Sequence, residues 1–277
     1  MEADIQAFFD SVVRAKLTEM LRDRVADESF MRLVGKCLHV GVLDGEEFSR
    51  PDEGTVQGSI LSPMLGNIYL HNVLDQWFDK QVRPQLEGHA RLIRYADDFV
   101  IGFENKADAM RVMEMLTDRM AAYGLKLHPD KTRLVPFGRP SGTSGKGPAT
   151  FDFLGFTIYW RRTRKGTWVP AMKTRKARLQ RALQNLGEFC RRHRHDPLKE
   201  QHASLSRRLK GHFNYFGVNG NMRALQLLHH QVKRQWFKWL CRRSQKRHLT
   251  WERFNARLRV FPLPKPTIRV QVWAPVS

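Results

Sequence analysis

Acidic residues are almost missing from the second half of this sequence. Residues 156–277 hold 4 Asp and Glu against 29 Lys and Arg, whereas residues 1–155 hold 23 against 19. The net charge of +21 is therefore the property of one half. A segment this basic repels itself unless a polyanion is near, so composition points to nucleic acid. A membrane surface is the weaker reading, because core-type aromatics interleave the cations and no amphipathic anchor stands out. Cysteine is scarce as well. Cys37, Cys190 and Cys241 lie far apart, without a C-x-x-C pair, which argues against a disulfide framework or a zinc site. No apolar run is long enough to span a bilayer. The start, MEADIQAFFDSV, has neither the basic residues nor the apolar core of a signal peptide. The expectation is a cytoplasmic protein, with association with the nucleoid also open, and no membrane partner. A length of 277 residues suits one large or two medium domains.

In chain order, ADIQAFF (3–9) reads as a strand carrying Asp4. Val13, Leu17, Leu21 and Val25 recur at helical spacing, and a second helix spans Glu28 to His39. Asp44-Gly45 marks a hairpin between Val40–Leu43 and Glu46–Phe48. Gly54 and Gly58 bracket Gln57 in a loop that lets backbone approach a bound group closely, or is simply a loop before a helix. Ser62-Pro63 starts that helix, which runs to about Val82. A further helix with Ala109, Met113, Leu116 and Met120 on one face stops at Gly124. Leu125–Leu127 and Leu134–Phe137 read as short strands around HPDKT, and 138–150 as a mobile loop. Its Gly145-Lys146-Gly147 is no phosphate loop, since Gly follows the Lys. FDFLGFTIYW (151–160) reads as one strand, with Trp168–Met172 returning against it. From Lys173 the pattern is helical, with four helices whose apolar stripes alternate with Arg and Lys.

One stretch stands apart. RLIRYADDFVIGF (91–103) is a β-hairpin with Asp97 and Asp98 at its tip. Two adjacent carboxylates on a stiff turn can hold a hard cation such as Mg²⁺. They can equally be a solvated turn, since Asp is a turn residue. Asp4 adds a third carboxylate. Oxygen ligands converging from neighbouring strands suit two-metal phosphoryl transfer. Asp10 lies past the strand and is expected to open the next helix.

ADIQAFFD, GTVQGSILSP, RYADDFVIGF, HPDKT and FDFLGF, in that order, resemble the successive palm motifs of reverse transcriptases. SRRLKGHFNYFGV and the segment FKWLCRRSQKRHLTWERFNARLRVFPLPKP are similar to the thumb or maturase-specific region of group II intron-encoded reverse transcriptase/maturases. The resemblance implies an α+β fold: a right-hand polymerase palm with a ferredoxin-like antiparallel sheet and partial fingers over 1–172, then an all-α thumb/maturase region over 173–277. It implies RNA-directed DNA polymerase activity with two Mg²⁺ ions, an RNA template, a DNA primer, dNTPs and group II intron RNA as partners. Asp4, Asp97 and Asp98 match the metal ligands, with the Ile5 carbonyl a further one. Phe9 matches the gate at the sugar 2′ position. Gln57 and Gly58 match the loop lining the incoming nucleotide, and Lys131 a lysine near the triphosphate. Leu154 and Gly155 match the primer grip. Arg175, Lys176, Arg207, Arg208, Lys210, Arg242 and Arg243 stand on the basic helices that would hold nucleic acid.

Two departures bear on function. Val56 stands where the family usually has Pro. Met1 lies three residues before Asp4, so the expectation is a chain lacking the upstream fingers segment, with an Asp4 strand prone to fraying. The alternatives to a working polymerase are a non-catalytic RNA-binding splicing cofactor and an inactive fragment of a mobile element. His193, His195, His229 and His230 lack the company of metal ligands and read as solvated or RNA-facing.

Overall fold

The computed structural model describes residues 1–38, 42–44, 47–49, 54–55, 60–140, 149–244 and 249–272. Gln57, Gly58, Val56 and most of the 138–150 loop lie outside them. The chain divides into two units, Met1–Pro136 and Phe137–Ser277.

The first unit begins with β1 (Glu2–Ala3). The strand expected over 3–9 stops there, because Ala7 takes a left-handed conformation (φ 44°) and the chain turns into a 3₁₀ segment, Phe8–Ser11. Asp10 is part of that segment and does not open the next helix. Helices α1 (Arg14–Arg22) and α2 (Glu28–Leu38) follow. Strands β2 (Val42–Asp44) and β3 (Glu47–Ser49) pair antiparallel, as the Asp-Gly signal suggests. Helix α3 (Ser62–Leu70) starts with Pro in its first turn and continues through wider π turns at His71–Asp75 and Phe78–Val82. The hairpin β4 (Ala90–Tyr95) and β5 (Asp98–Phe103) comes next. Helix α4 (Lys106–Ala122) then buries Ala109, Val112, Leu116 and Met120. Val112, not the neighbouring Met113, faces the core.

The sheet order is β1-β5-β4, all antiparallel. Residues 126–133 lie along the other edge of β1, through bridges Glu2↔Arg133 and Ile5↔Leu127. The two short strands expected there shrink to these bridges. The HPDKT stretch between them closes a turn instead, with Lys131 and Thr132 N–H donating to the His128 carbonyl. The first residue is pinned: the Met1 amine donates to the Ile101 carbonyl at 2.7 Å, and Ile101 N–H to the Met1 carbonyl at 2.9 Å. The β1 strand is therefore hydrogen-bonded on both edges. Tyr69, Leu70, Val73, Phe99, Ile101 and Leu116 are fully enclosed beneath this sheet's helices.

The second unit opens with a sheet of β6 (Phe151–Phe153), β7 (Phe156–Arg162) and β8 (Trp168–Thr174), in that order. FDFLGFTIYW is thus two strands. Leu154 (φ 50°) and Gly155 (φ 78°) form a two-residue turn, with Phe153 paired to Phe156. Helices α5 (Lys176–Arg192), α6 (Leu198–Phe216), α7 (Met222–Cys241) and α8 (Trp251–Val260) follow close to their expected limits. Phe156 joins the helical core with Leu209, Phe213, Phe216, Leu228, Val232 and Trp236. Asn221, 1% exposed, receives Thr174 N–H at 2.8 Å and donates to Thr174 Oγ1 and the Phe216 carbonyl. These ties hold the sheet to the helices within the second unit. Among the described residues no helix is long and apolar enough to cross a membrane. Burial pushes the Cys190 thiol up to about 12, which keeps it protonated and unreactive.

Candidate active site

The β1–β5 register pairs Glu2 with Val100 and Ala3 with Phe99. The ladder ends there, so Asp4, the residue after Ala3, and Asp98, the residue before Phe99 and itself paired with Tyr95 of β4, lie at the same end of neighbouring strands. Asp97 is the second residue of the turn that begins this end, and is half-buried. Ala96 before it is left-handed (φ 53°), a costly conformation for a residue with a Cβ.

That turn is braced from behind by a residue with no local signal in the sequence. Arg94 grips Asp75 with both arms, Nε to Oδ1 at 2.7 Å and Nη2 to Oδ2 at 2.6 Å. Its Nη1 donates to the Ala96 carbonyl and to Asn67 Oδ1, each at 2.9 Å. Asp75 and Asn67 come from the long helix, so the clamp joins helix, strand and turn tip. Asp108 is also unforeseen. Its buried carboxylate accepts from Gly88 N–H at 2.9 Å and holds the loop that enters β4.

Asp4 is set by the HPDKT turn. Its carbonyl accepts from His128 N–H at 2.8 Å. Its carboxylate Oδ2 takes the Lys131 ammonium at 2.7 Å, with the two side chains 22% and 59% exposed. Ile5 is buried and bridged to Leu127. Phe9 sits in the 3₁₀ segment, its ring 5.1 Å from that of Phe8. The Phe9 carbonyl accepts from Thr55 N–H at 2.7 Å, and Gly54 N–H reaches the Val12 carbonyl at 2.9 Å. Arg14 Nε, in turn, donates to the Gly54 carbonyl at 2.7 Å. The start of the glycine loop is therefore fastened to the turn after Asp4. A side chain at Gly54 (φ 84°) would meet the Asp10 and Phe9 backbone at 2.8 Å, which explains the glycine.

Among the described residues no three His, Cys, Asp or Glu side chains are gathered into a ready metal site. The donor set still fits a hard cation: carboxylate oxygens brought by register to one sheet end, one already carrying an ammonium.

The other expected residues lie in the second unit. The Leu154 carbonyl accepts from Tyr215 Oη at 2.9 Å, and that of Gly155 from Arg175 N–H at 2.9 Å. Arg175 also pairs with Asp152 at 2.9 Å. Lys176, Arg207, Arg208, Lys210 and Arg242 are exposed. Arg243 is committed to the carbonyls of His195 and Asp196 at 2.9 and 2.7 Å, which join α5 to α6. His193 pairs with Asp196 at 2.7 Å. His229 departs from its expected solvated state. Burial and the nearby Lys233 charge hold its basicity below the ordinary value.

Residues 1–158 match the family described as reverse transcriptase (RNA-dependent DNA polymerase), and the chain belongs to that family. Intron-encoded proteins are among its relatives. The group II intron-encoded protein LtrA of Lactococcus lactis subsp. cremoris is 24% identical over 245 residues, 67% of this chain and 39% of that protein. Protein YkfC of Escherichia coli is 30% identical over 194 residues, 60% and 48% of the two chains. The uncharacterized 91 kDa protein in cob intron of Schizosaccharomyces pombe is 42% identical over 79 residues, 28% of this chain and 10% of that protein. The chain thus spans less than half the length of these curated relatives.

Proposed function

We propose that this chain is the palm and thumb portion of a group II intron RNA-directed DNA polymerase, acting in the cytoplasm. The observation that carries the reading is the β1–β5 register, whose last pair, Ala3↔Phe99, is followed at the same sheet end by Asp4 on one side and Asp98 on the other. The order 126–133, β1, β5, β4 supports a ferredoxin-like palm sheet. Asp4, Asp97 and Asp98, with the Ile5 carbonyl, would hold two Mg²⁺ ions, which supply activation of a primer 3′-hydroxyl and neutralisation of the leaving pyrophosphate.

The chain's own residues supply position. Phe9, backed by Phe8, crowds the sugar 2′ carbon and favours dNTPs. Gln57 and Gly58, by their place in the motif, would line the incoming nucleotide. Lys131 offers positive charge to the phosphates. The Leu154-Gly155 turn grips the primer, and the cations of α5–α7 meet template and intron RNA.

The test is primer extension on an RNA template with Mg²⁺, by this chain alone and by the chain preceded by a fingers segment. Extension that requires Mg²⁺ and is lost in Asp97→Ala is expected. Full activity in Asp97→Ala would sink the metal assignment. The second reading, a splicing cofactor, draws on the acid-poor second half. It expects intron RNA binding that survives Asp97→Ala while extension is absent with fingers present.

A further inference from the structure

Within the second unit an open groove of about 590 Å³ runs between α7 and α8, lined by Arg234, Gln235, Phe237, Lys238, Arg242 and Trp251 among others. We propose that it is a binding site for an unpaired RNA nucleotide and its flanking phosphates. The proposal rests on the RNA-binding reading of the second half and narrows it to one site and one kind of RNA.

Three features converge. Arg234 and Lys238 of α7 and Arg242 at its C-cap recur every fourth residue, so they form a row with steps of about 6 Å along the helix. Lys238 and Arg242 lie over the Trp239 ring, 5.4 and 5.1 Å from its centroid, which orders two flexible cations along the flank. Among the described residues no carboxylate lines the groove. Of the acids in this half, Glu188 is taken by Arg191 and Arg192, and Asp196 by His193.

The third feature is Trp251. Its ring stacks on Phe237 at 3.9 Å and 20°, and meets Phe254 edge-on at 5.7 Å. Thr250 Oγ1 caps α8 by accepting from Arg253 N–H, which fixes the turn that bears it. Yet Trp251 remains 46% exposed, while Trp236 on the core side of α7 is 1% exposed. A large ring held rigid and left half in water is a stacking platform, because ordering it costs little when a base arrives. Cations beside such a platform match single-stranded nucleic acid. A duplex offers phosphates and 2′-hydroxyls but keeps its bases stacked inside, so it would leave Trp251 unused. An acidic peptide would use the cations alone.

The experiment is fluorescence anisotropy of the full chain with a labelled short oligouridylate, beside a blunt RNA duplex. Trp251→Leu is expected to weaken oligouridylate binding by about five- to a hundredfold and to leave duplex binding unchanged. The surface triple Arg234→Gln, Lys238→Gln, Arg242→Gln is expected to flatten the oligouridylate salt slope by about 2. Unchanged oligouridylate affinity in a folded Trp251→Leu chain overturns the proposal, as does equal loss for duplex. If that variant misfolds, the triple decides, and an unaltered salt slope overturns it. Competition by polyglutamate as effective as by RNA would instead make the groove a site for acidic peptide. Asp97→Ala leaves oligouridylate binding intact in every case, so failure of the polymerase reading and failure of this site are told apart.

Discussion

Arg94→Ala should loosen the turn that carries Asp97, and its cost can be worked from the clamp. The Arg94 side chain is 13% exposed and its partner Asp75 26%. Breaking a fully buried pair costs about 3–5 kcal/mol, and an exposed pair is worth about 0–1 kcal/mol. This half-sheltered, two-armed pair belongs between them, at about 2–3 kcal/mol. Ala96 adds a second effect. Its left-handed backbone costs about 1–2 kcal/mol, and the Arg94 bond to its carbonyl is one of the contacts that hold it. Without that bond the turn can relax to a common geometry and carry Asp97 away from Asp98. Urea unfolding reads the stability loss, and single-turnover primer extension reads the displacement. Arg94→Lys should recover part of the stability but little of the extension rate, because an ammonium cannot reproduce the planar fork. Asp75→Ala combined with Arg94→Ala should cost less than the two singles together, since both break one clamp. A stability change under about 0.5 kcal/mol with normal extension would refute the clamp as a support of the site.

Lys131→Met should tighten Mn²⁺ binding by up to about fivefold, because a half-exposed pair worth at most about 1 kcal/mol no longer occupies Asp4; calorimetric titration showing weaker binding would mean that Lys131 does not compete there. Gly54→Ala should destabilise the first unit by at least about 2 kcal/mol in urea unfolding, since the new Cβ meets backbone at 2.8 Å. His212 gives the second unit a pH dependence. Burial depresses its value from 6.5 to about 4, so between these values the unfolded chain takes a proton that the folded chain refuses. Its contribution to stability is whole above pH 6.5 and falls as pH drops toward 4; His212→Phe should flatten the melting curve's pH slope in that window.

The sequence was most legible where one local rule decided the outcome. Gly124 (φ 72°) ends α4 as the helix-stop rule requires, and the stripes of Leu225, Leu228, Val232 and Trp236 are buried as their spacing implies. The Asp97-Asp98 hairpin was legible for the same reason, because acids interrupt two apolar runs. Where a residue broke its own propensity, reading failed. Leu154 at a left-handed turn position carries no Asn-Gly signal, so two strands looked like one. Ala7 ended β1 early in the same way. Pairings across long separations were hidden altogether. Nothing near Arg94 announces Asp75, and Lys131 meets Asp4 across 127 positions. The candidate acids thus stood out in the sequence, and the residues that hold them did not.

On the proposed function, the uneven charge of the chain also separates two kinds of nucleic-acid contact. Asp4, Asp97 and Asp98 repel phosphate, so anything phosphorylated approaches them only through a cation or through Lys131. The second half carries 29 cations and 4 acids and needs no such mediator. Salt screens its attraction directly, by counterion release. The two contacts should therefore respond to opposite treatments. Chelating divalent ions should abolish extension and leave RNA bound, while raising monovalent salt should release RNA before divalent-ion binding at the acids is lost. If chelation and salt released RNA together, the acids and the basic helices would be acting as one electrostatic surface, and the division of labour drawn from the sequence would be wrong.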